Sequence, residues 1–308
     1  MSIEKFEEMT VKYLKEQYGF DTEIIVKDVY KNNGLVLRGV TVVFDDANAC
    51  PTVYLEDLYK DFCKGKTFEE VMEELVNILE KSRIEGFVDV SFFEDYELIK
   101  DRVVYKLINT EKNLKLLSDV PHMDFLDLSI VFYVIVTDKT FGSGSIMIQN
   151  RQFERWNISL EELFEAAKVN TIKRLGSSIT SIEDVLLEMI RQRNESEFDE
   201  IEKEIETQKK AGRIIPMYVL SNQLRINGAA CMLDMNLLRS FAEDMDSDFY
   251  ILPSSVHELI LIPQRGVEDP YCLERMVKEV NISEVGVTDV LSDHVYRFSR
   301  EKCAVECI

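Results

Sequence analysis

Phe249-Tyr250-Ile251-Leu252-Pro253-Ser254-Ser255-Val256-His257-Glu258-Leu259-Ile260-Leu261-Ile262 carries the fold class of this chain. Two short apolar runs flank a Pro-Ser-Ser turn, which reads as a hairpin of Phe249 to Leu252 with Val256 to Ile262. Helical patterns stand on both sides of it. Upstream, Met235 to Met245 follows Asp234 as N-cap and brings Leu237, Leu238, Phe241 and Met245 to one face. Downstream, Asp269-Pro270 opens a helix carrying Leu273, Met276, Val277 and Val280, with proline where its missing amide is harmless. A strand over Met217 to Leu220 and a turn at Asn227-Gly228, before Ala229 to Leu233, complete the pattern. The expected class is α+β, with antiparallel hairpins packed by helices.

The same grammar extends towards the N-terminus. A helix over Ile3 to Tyr18 stops at Gly19. Thr22 to Tyr30 and Leu35 to Phe44 read as strands joined by Lys31-Asn32-Asn33-Gly34, where Asn and Gly accept a positive φ at little cost. Two helices follow, the second opened by the capping box Thr67-Phe68-Glu69-Glu70. Phe87 to Phe93, Val103 to Ile108 and Leu128 to Val136 read as strands, with a short helix over Thr110 to Leu117. Phe141-Gly142-Ser143-Gly144 reads as a turn into Ser145 to Gln149, and Ser159-Leu160-Glu161-Glu162 as a second capping box. Residues 181–212 read as a polar, acidic helical connector between an N-terminal half, 1–180, and a C-terminal half, 213–308, or as part of one continuous domain.

Composition bounds the function. The chain of 308 residues is 46% hydrophobic and 30% charged, the balance of a globular protein with a substantial core. Its formal charge of −21 argues against a nucleic-acid binder and against an anionic membrane surface, both of which need clustered Lys and Arg. The longest apolar run, Ile130 to Val136, is far short of the ~20 residues that span a bilayer. The N-terminus has no basic segment followed by an apolar run, so the expected compartment is the cytoplasm. Cys50, Cys63, Cys231, Cys272, Cys303 and Cys307 form no CxxC pair and read as reduced thiols.

Two of the three histidines sit beside a carboxylate at the mouth of an apolar strand: His122 with Asp124, and His257 with Glu258. Together with Asp127 they supply the ligand types of a two-histidine-plus-carboxylate site, although no HxH or HExxH spacing is present. A metal is therefore left open, and no cofactor is expected, because no Walker loop or dinucleotide glycine motif occurs. For acid–base chemistry, residues two apart on a strand share a face and adjacent ones do not. His122 and Asp124 are thus better placed to act together than His257 and Glu258. Gly142-Ser143-Gly144-Ser145 lacks the G-x-S-x-G order of a nucleophile elbow. The bland reading of the histidines, surface or interface polar groups, stands beside each of these.

Asp119-Val120-Pro121-His122, Phe125-Leu126-Asp127-Leu128, Met217-Tyr218-Val219-Leu220-Ser221-Asn222 and Gly228-Ala229-Ala230-Cys231-Met232-Leu233 resemble the signatures of one family. Pro253-Ser254-Ser255-Val256-His257-Glu258, Met276-Val277-Lys278-Glu279-Val280-Asn281 and Val290-Leu291-Ser292-Asp293 resemble it too. It is an uncharacterised family of anaerobic Firmicutes, the domain of unknown function 5688. More distantly, the second half is similar to the YtpQ-like family, also uncharacterised. The resemblance implies a bacterial cytoplasmic protein and carries over neither an activity nor a catalytic residue. The reading favoured is a non-enzymatic binding or regulatory module for a protein or small-molecule ligand. The alternatives are a hydrolase-like enzyme using His122, Asp124, His257 and Glu258, with or without a divalent metal, and an acidic nucleic-acid mimic.

Overall fold

The computed structural model describes residues 1–47, 49–83, 91–138, 142–193, 201–203, 207, 215–265, 267 and 269–308. The chain forms two compact units, the first of residues 1–98 with 135–145, the second of residues 99–134 with 146–308.

In the first unit, α1 (Ile3–Tyr18) starts where the Ser2 hydroxyl accepts the Lys5 amide and ends at Gly19 with φ of 105°. The antiparallel hairpin β1 (Ile24–Tyr30) and β2 (Val36–Val42) pairs Tyr30 with Val36 at its tip. Asn32 to Gly34 make a single 3-10 turn in which Asn33 and Gly34 take φ of 59° and 69°. The tight turn expected there is present, for the expected reason. β3 (Thr52–Tyr54) adds to β2, and α2 (Leu55–Cys63) and α3 (Phe68–Ser82) follow. Phe6 lies at the centre of the core with Tyr59, Phe62 and Phe68, all with ring centroids within 5.8 Å of its own. Such pairs add to area burial.

In the second unit, β4 (Val103–Asn109) pairs with β6 (Leu128–Asp138), which also pairs with β5 (His122–Phe125); β6 pairs in addition with β7 (Gly142–Met147), and residues 135–145 of these last two strands belong to the first unit. In chain order α4 (Tyr96–Ile99) precedes β4 and α5 (Leu114–Leu117) follows it. After α6 (Asn150–Trp156), α7 (Leu160–Leu175) lies on β4. It is held by the Thr171 hydroxyl accepting the Tyr105 amide at 3.2 Å and by Asn170 donating to the carbonyl of Val103 at 3.0 Å. Both predicted capping boxes form, Thr67 with Glu70 and Ser159 with Glu162. Ser159→Ala leaves an N-terminal amide of α7 without its acceptor and is expected to cost about 1 kcal/mol. Chemical denaturation with an unchanged midpoint would contradict this.

The larger sheet runs β13-β12-β10-β11-β9-β8. It is built from β8 (Ser178–Ser181), β9 (Tyr218–Ser221), β10 (Phe249–Pro253), β11 (Leu259–Pro263), β12 (Tyr296–Ser299) and β13 (Ala304–Cys307). α8 (Ile182–Arg193) follows β8, α9 (Met235–Asp244) follows β9, and α10 (Pro270–Ser283) follows β11. Every residue of β10 is buried because both faces are covered. Phe249 meets Phe241 of α9 on one face, and Tyr250 and Leu252 pack with Leu273 and Val277 of α10 on the other.

Some expectations change. Strand β11 begins at Leu259, not Val256. The Ser255 hydroxyl accepts the His257 amide and the Ser255 amide donates to the Glu258 carbonyl, so local bonds replace the ladder. Ser91 to Glu94 form a 3-10 turn, and the rest of the strand expected at Phe87 to Phe93 lies outside the described residues. His122 stands inside a strand of its own, β5, joined to β6 by a turn in which Leu126 takes a φ of 58°. Gly142 to Gly144 lie in β7 and not in a turn. Gly228 to Leu233 form a buried 3-10 segment. Most of the acidic stretch Glu195 to Glu206 lies outside the described residues.

Candidate functional site

His257 is the better connected of the two candidate histidines, and its bonds are those of a clamp. Its Nδ1 accepts the Asn227 backbone N–H at 3.1 Å, so Nδ1 carries no proton in this arrangement. Its Nε2 faces the Asp289 carboxylate at 3.6 Å, and its carbonyl accepts the Ser221 hydroxyl at 2.8 Å. The Val256 amide donates to the Asp289 carbonyl at 2.7 Å, and the Ala229 amide to the Val256 carbonyl at 3.2 Å. Three loops, 221–229, 254–258 and 286–290, are thereby tied at one imidazole. Glu258 turns back to its own hairpin, where the Ser254 hydroxyl reaches its carboxylate at 3.5 Å.

With Nδ1 taken up by a backbone donor, the His257 side chain acts as a joint between these loops. His257→Ala is expected to cost about 1–2 kcal/mol of stability, since the Asn227 amide loses its acceptor and Asp289 loses the imidazole facing it, while the Ser221 bond to the residue's carbonyl stays. Unchanged thermal melting of that variant would refute the clamp.

His122 and Asp124 share one face of β5, as their spacing predicts. The pairings Lys106↔Val131 and His122↔Val131 place Lys106 in the same row across the sheet. Nδ1 of His122 lies 3.0 Å from the Val120 carbonyl, which must accept, so Nδ1 carries a proton in this arrangement. Burial pushes the Lys106 ammonium below the usual lysine value of 10.5. Its partners in that row, Val131 and, beyond it, His122, include no carboxylate. A depressed lysine pKa means that, just below 10.5, the unfolded chain binds more protons than the folded one. Stability contributed at that position therefore rises with pH through this window. Lys106→Met is expected to remove the rise and to match or exceed the parent's stability at neutral pH by up to about 1 kcal/mol. Parallel pH–stability curves for parent and variant would contradict it.

The hydrogen bonds of His122 and His257 run to separate partners. Among the described residues, no group of three or more His, Cys, Asp or Glu is arranged to hold a metal ion. Sequence reasoning missed Asp289, Lys106 and a third cluster, in which the Asp127 carboxylate accepts the hydroxyls of Ser292 and Tyr296, both at 2.6 Å. No local pattern announces any of them, because each partner arrives from a distant element.

Three concave surfaces are described away from these histidines. In the first unit a cavity of about 490 Å³ is lined by Tyr18, Phe44 and carboxylates including Asp45 and Asp46. There the Arg83 guanidinium lies 4.2 Å from the centroid of the Phe44 ring and binds Asp46 at 2.8 Å. In the second unit an apolar groove of about 150 Å³ runs between Ile260 and Ile262 of β11 and Met276 and Val280 of α10, with Ile182 and Met217 at one side. A cleft of about 440 Å³ lies between β8 and α9. His122, Asp124, His257 and Glu258 line none of these three cavities.

These features define an α+β protein of two compact units with antiparallel sheets, whose described cavities are apolar or acidic. The chain belongs to a family of unknown function, DUF5688, whose signature matches residues 3–300. No curated protein and no solved structure matches it.

Proposed function

We propose that the protein is a non-enzymatic binding or regulatory module of the bacterial cytoplasm. The observation that carries this reading is the apolar groove of the second unit. Met276 and Val280 on its wall are 51% and 39% exposed, beside the apolar side chains of Ile260 and Ile262. Concave apolar surface left open to water is the usual mark of a recognition site. Support for the compartment comes from the acidic composition and from six cysteines that are all unpaired. Among the described residues no helix is long and apolar enough to cross a membrane.

The test is titration with Nile red, an uncharged apolar dye. Saturable binding is expected, and Val280→Asp should abolish it while moving the melting temperature little, since this side chain is partly exposed. Equal dye binding by the variant would defeat the groove as the recognition surface.

One observation favours a second, hydrolase-like reading: His122 and Asp124 share one face of β5, with Lys106 in the same row two strands away. Turnover of p-nitrophenyl esters or phosphates that disappears in His122→Ala and persists in His257→Ala would establish it in place of the first.

A further inference from the structure

The cleft between β8 and α9 has features of a peptide site. Leu237, Ser240, Phe241, Asp244 and Met245 form one helical stripe along its far wall. The near wall is Ile179, Thr180 and Ser181, with Tyr218 behind. Ile179 and Ser181 pair with Leu220 and Tyr218, so their side chains share the face that carries α9, and Thr180 points to the other. A cleft touched by all three must open at the edge of the strand.

Among the described residues, that edge carries hydrogen-bonding groups that no other strand takes up. β8 is the outermost strand of the sheet among the described residues. The Ile182 amide donates to the Met217 carbonyl at 2.9 Å, which sets the phase of the ladder. In an antiparallel pair the bonded residues alternate, so Ser178 and Thr180 face β9. The N–H and C=O of Ile179 and the N–H of Ser181 therefore point outward. Open edges of this kind accept an added strand.

The charge of the cleft selects the occupant. Among the described residues that line it, Asp184 and Asp244 are the charged ones, with no Lys or Arg. Asp244 also ends α9, where the unsatisfied carbonyls add partial negative charge. The Tyr218 and Phe241 rings, 4.9 Å apart at 74°, line the same cleft and give it an apolar floor for the stem of a long side chain.

We propose that this cleft binds an extended basic segment of a partner protein, which adds a strand to β8 and sets an Arg or Lys side chain between Asp184 and Asp244. The cleft lies on the α9 face of the sheet and the apolar groove on the α10 face, so the proposal stands independently of the groove.

The experiment uses the full chain and a fluorophore-labelled, end-blocked Thr-Val-Thr-Arg-Thr-Val-Thr peptide, followed by anisotropy and by amide hydrogen exchange. Binding should weaken about tenfold or more when Asp184 and Asp244 are both changed to Asn. Asp184→Asn keeps the helix-capping geometry with Ser181. A peptide with citrulline in place of arginine should lose affinity to the same degree. The amides of Ile179 and Ser181 should exchange more slowly in the complex. The proposal is overturned if neither the arginine peptide nor its lysine counterpart binds. Equal affinity for the citrulline peptide, or unchanged exchange at Ile179 and Ser181, overturns it as well.

Discussion

Gly228→Ala should lower the melting temperature of the second unit by about 6–12 °C, a loss of about 3 kcal/mol or more. Gly228 sits where the turn after Asn227 passes under the His257 clamp. A Cβ there would overlap the Ser221 hydroxyl and the His257 carbonyl oxygen and come within 2.9 Å of the Asn222 amide. The hydroxyl can rotate away, but the other two are backbone and belong to a strand end and to the loop between β10 and β11. Relief would have to come from moving one of those segments, and both are bonded into the network described above. Calorimetry decides the matter, and Gly228→Ala/Ser221→Ala should recover little. A single variant melting within a degree of the parent would mean that the backbone yields far more easily than this packing implies.

Asp127→Ala is expected to cost about 3 kcal/mol, because it strands two hydroxyls in the interior. Tyr296 is fully buried, and Ser292 likewise. Burial first, and the Asp127 charge second, push the Tyr296 phenol above its ordinary range, so it stays a donor and needs an acceptor. Asp127 serves both donors through its two oxygens, and the Ser292 oxygen in turn accepts the His294 amide at 2.9 Å. Removing the carboxylate leaves Tyr296 with a buried, unmatched O–H. Tyr296→Phe removes the need, so the double variant should be less destabilised than the sum of the singles by about 1 kcal/mol or more. Additive losses in a double-mutant cycle would show that the two side chains do not depend on each other.

Much of the secondary structure was legible from local chemistry. The Thr67 and Ser159 caps, the Asp234 and Asp269 N-caps and the Asn33-Gly34 turn all fall where a side chain satisfies orphan amides within a few residues or a backbone needs positive φ. The loop before β11 was misread because Val256 is β-branched and apolar, yet it is buried by the segments at 229 and 289 and not by a ladder. The candidate site divides along the same line. That His122 and Asp124 share a face follows from a period of two. That Lys106 joins them depends on a register of β4 on β6 set by nothing near either residue.

What the amino-acid order alone determined is therefore whatever is decided over a few residues: element type, caps, turns, the acidic charge and the α+β class. Tertiary structure decided which polar groups meet. His257 finds Asn227 and Asp289, and Asp127 finds Tyr296, across separations that hydrophobic burial, which is non-directional, brings together. Hydrogen bonds then select among the arrangements that burial allows, and their partners are named by geometry and not by spacing in the chain.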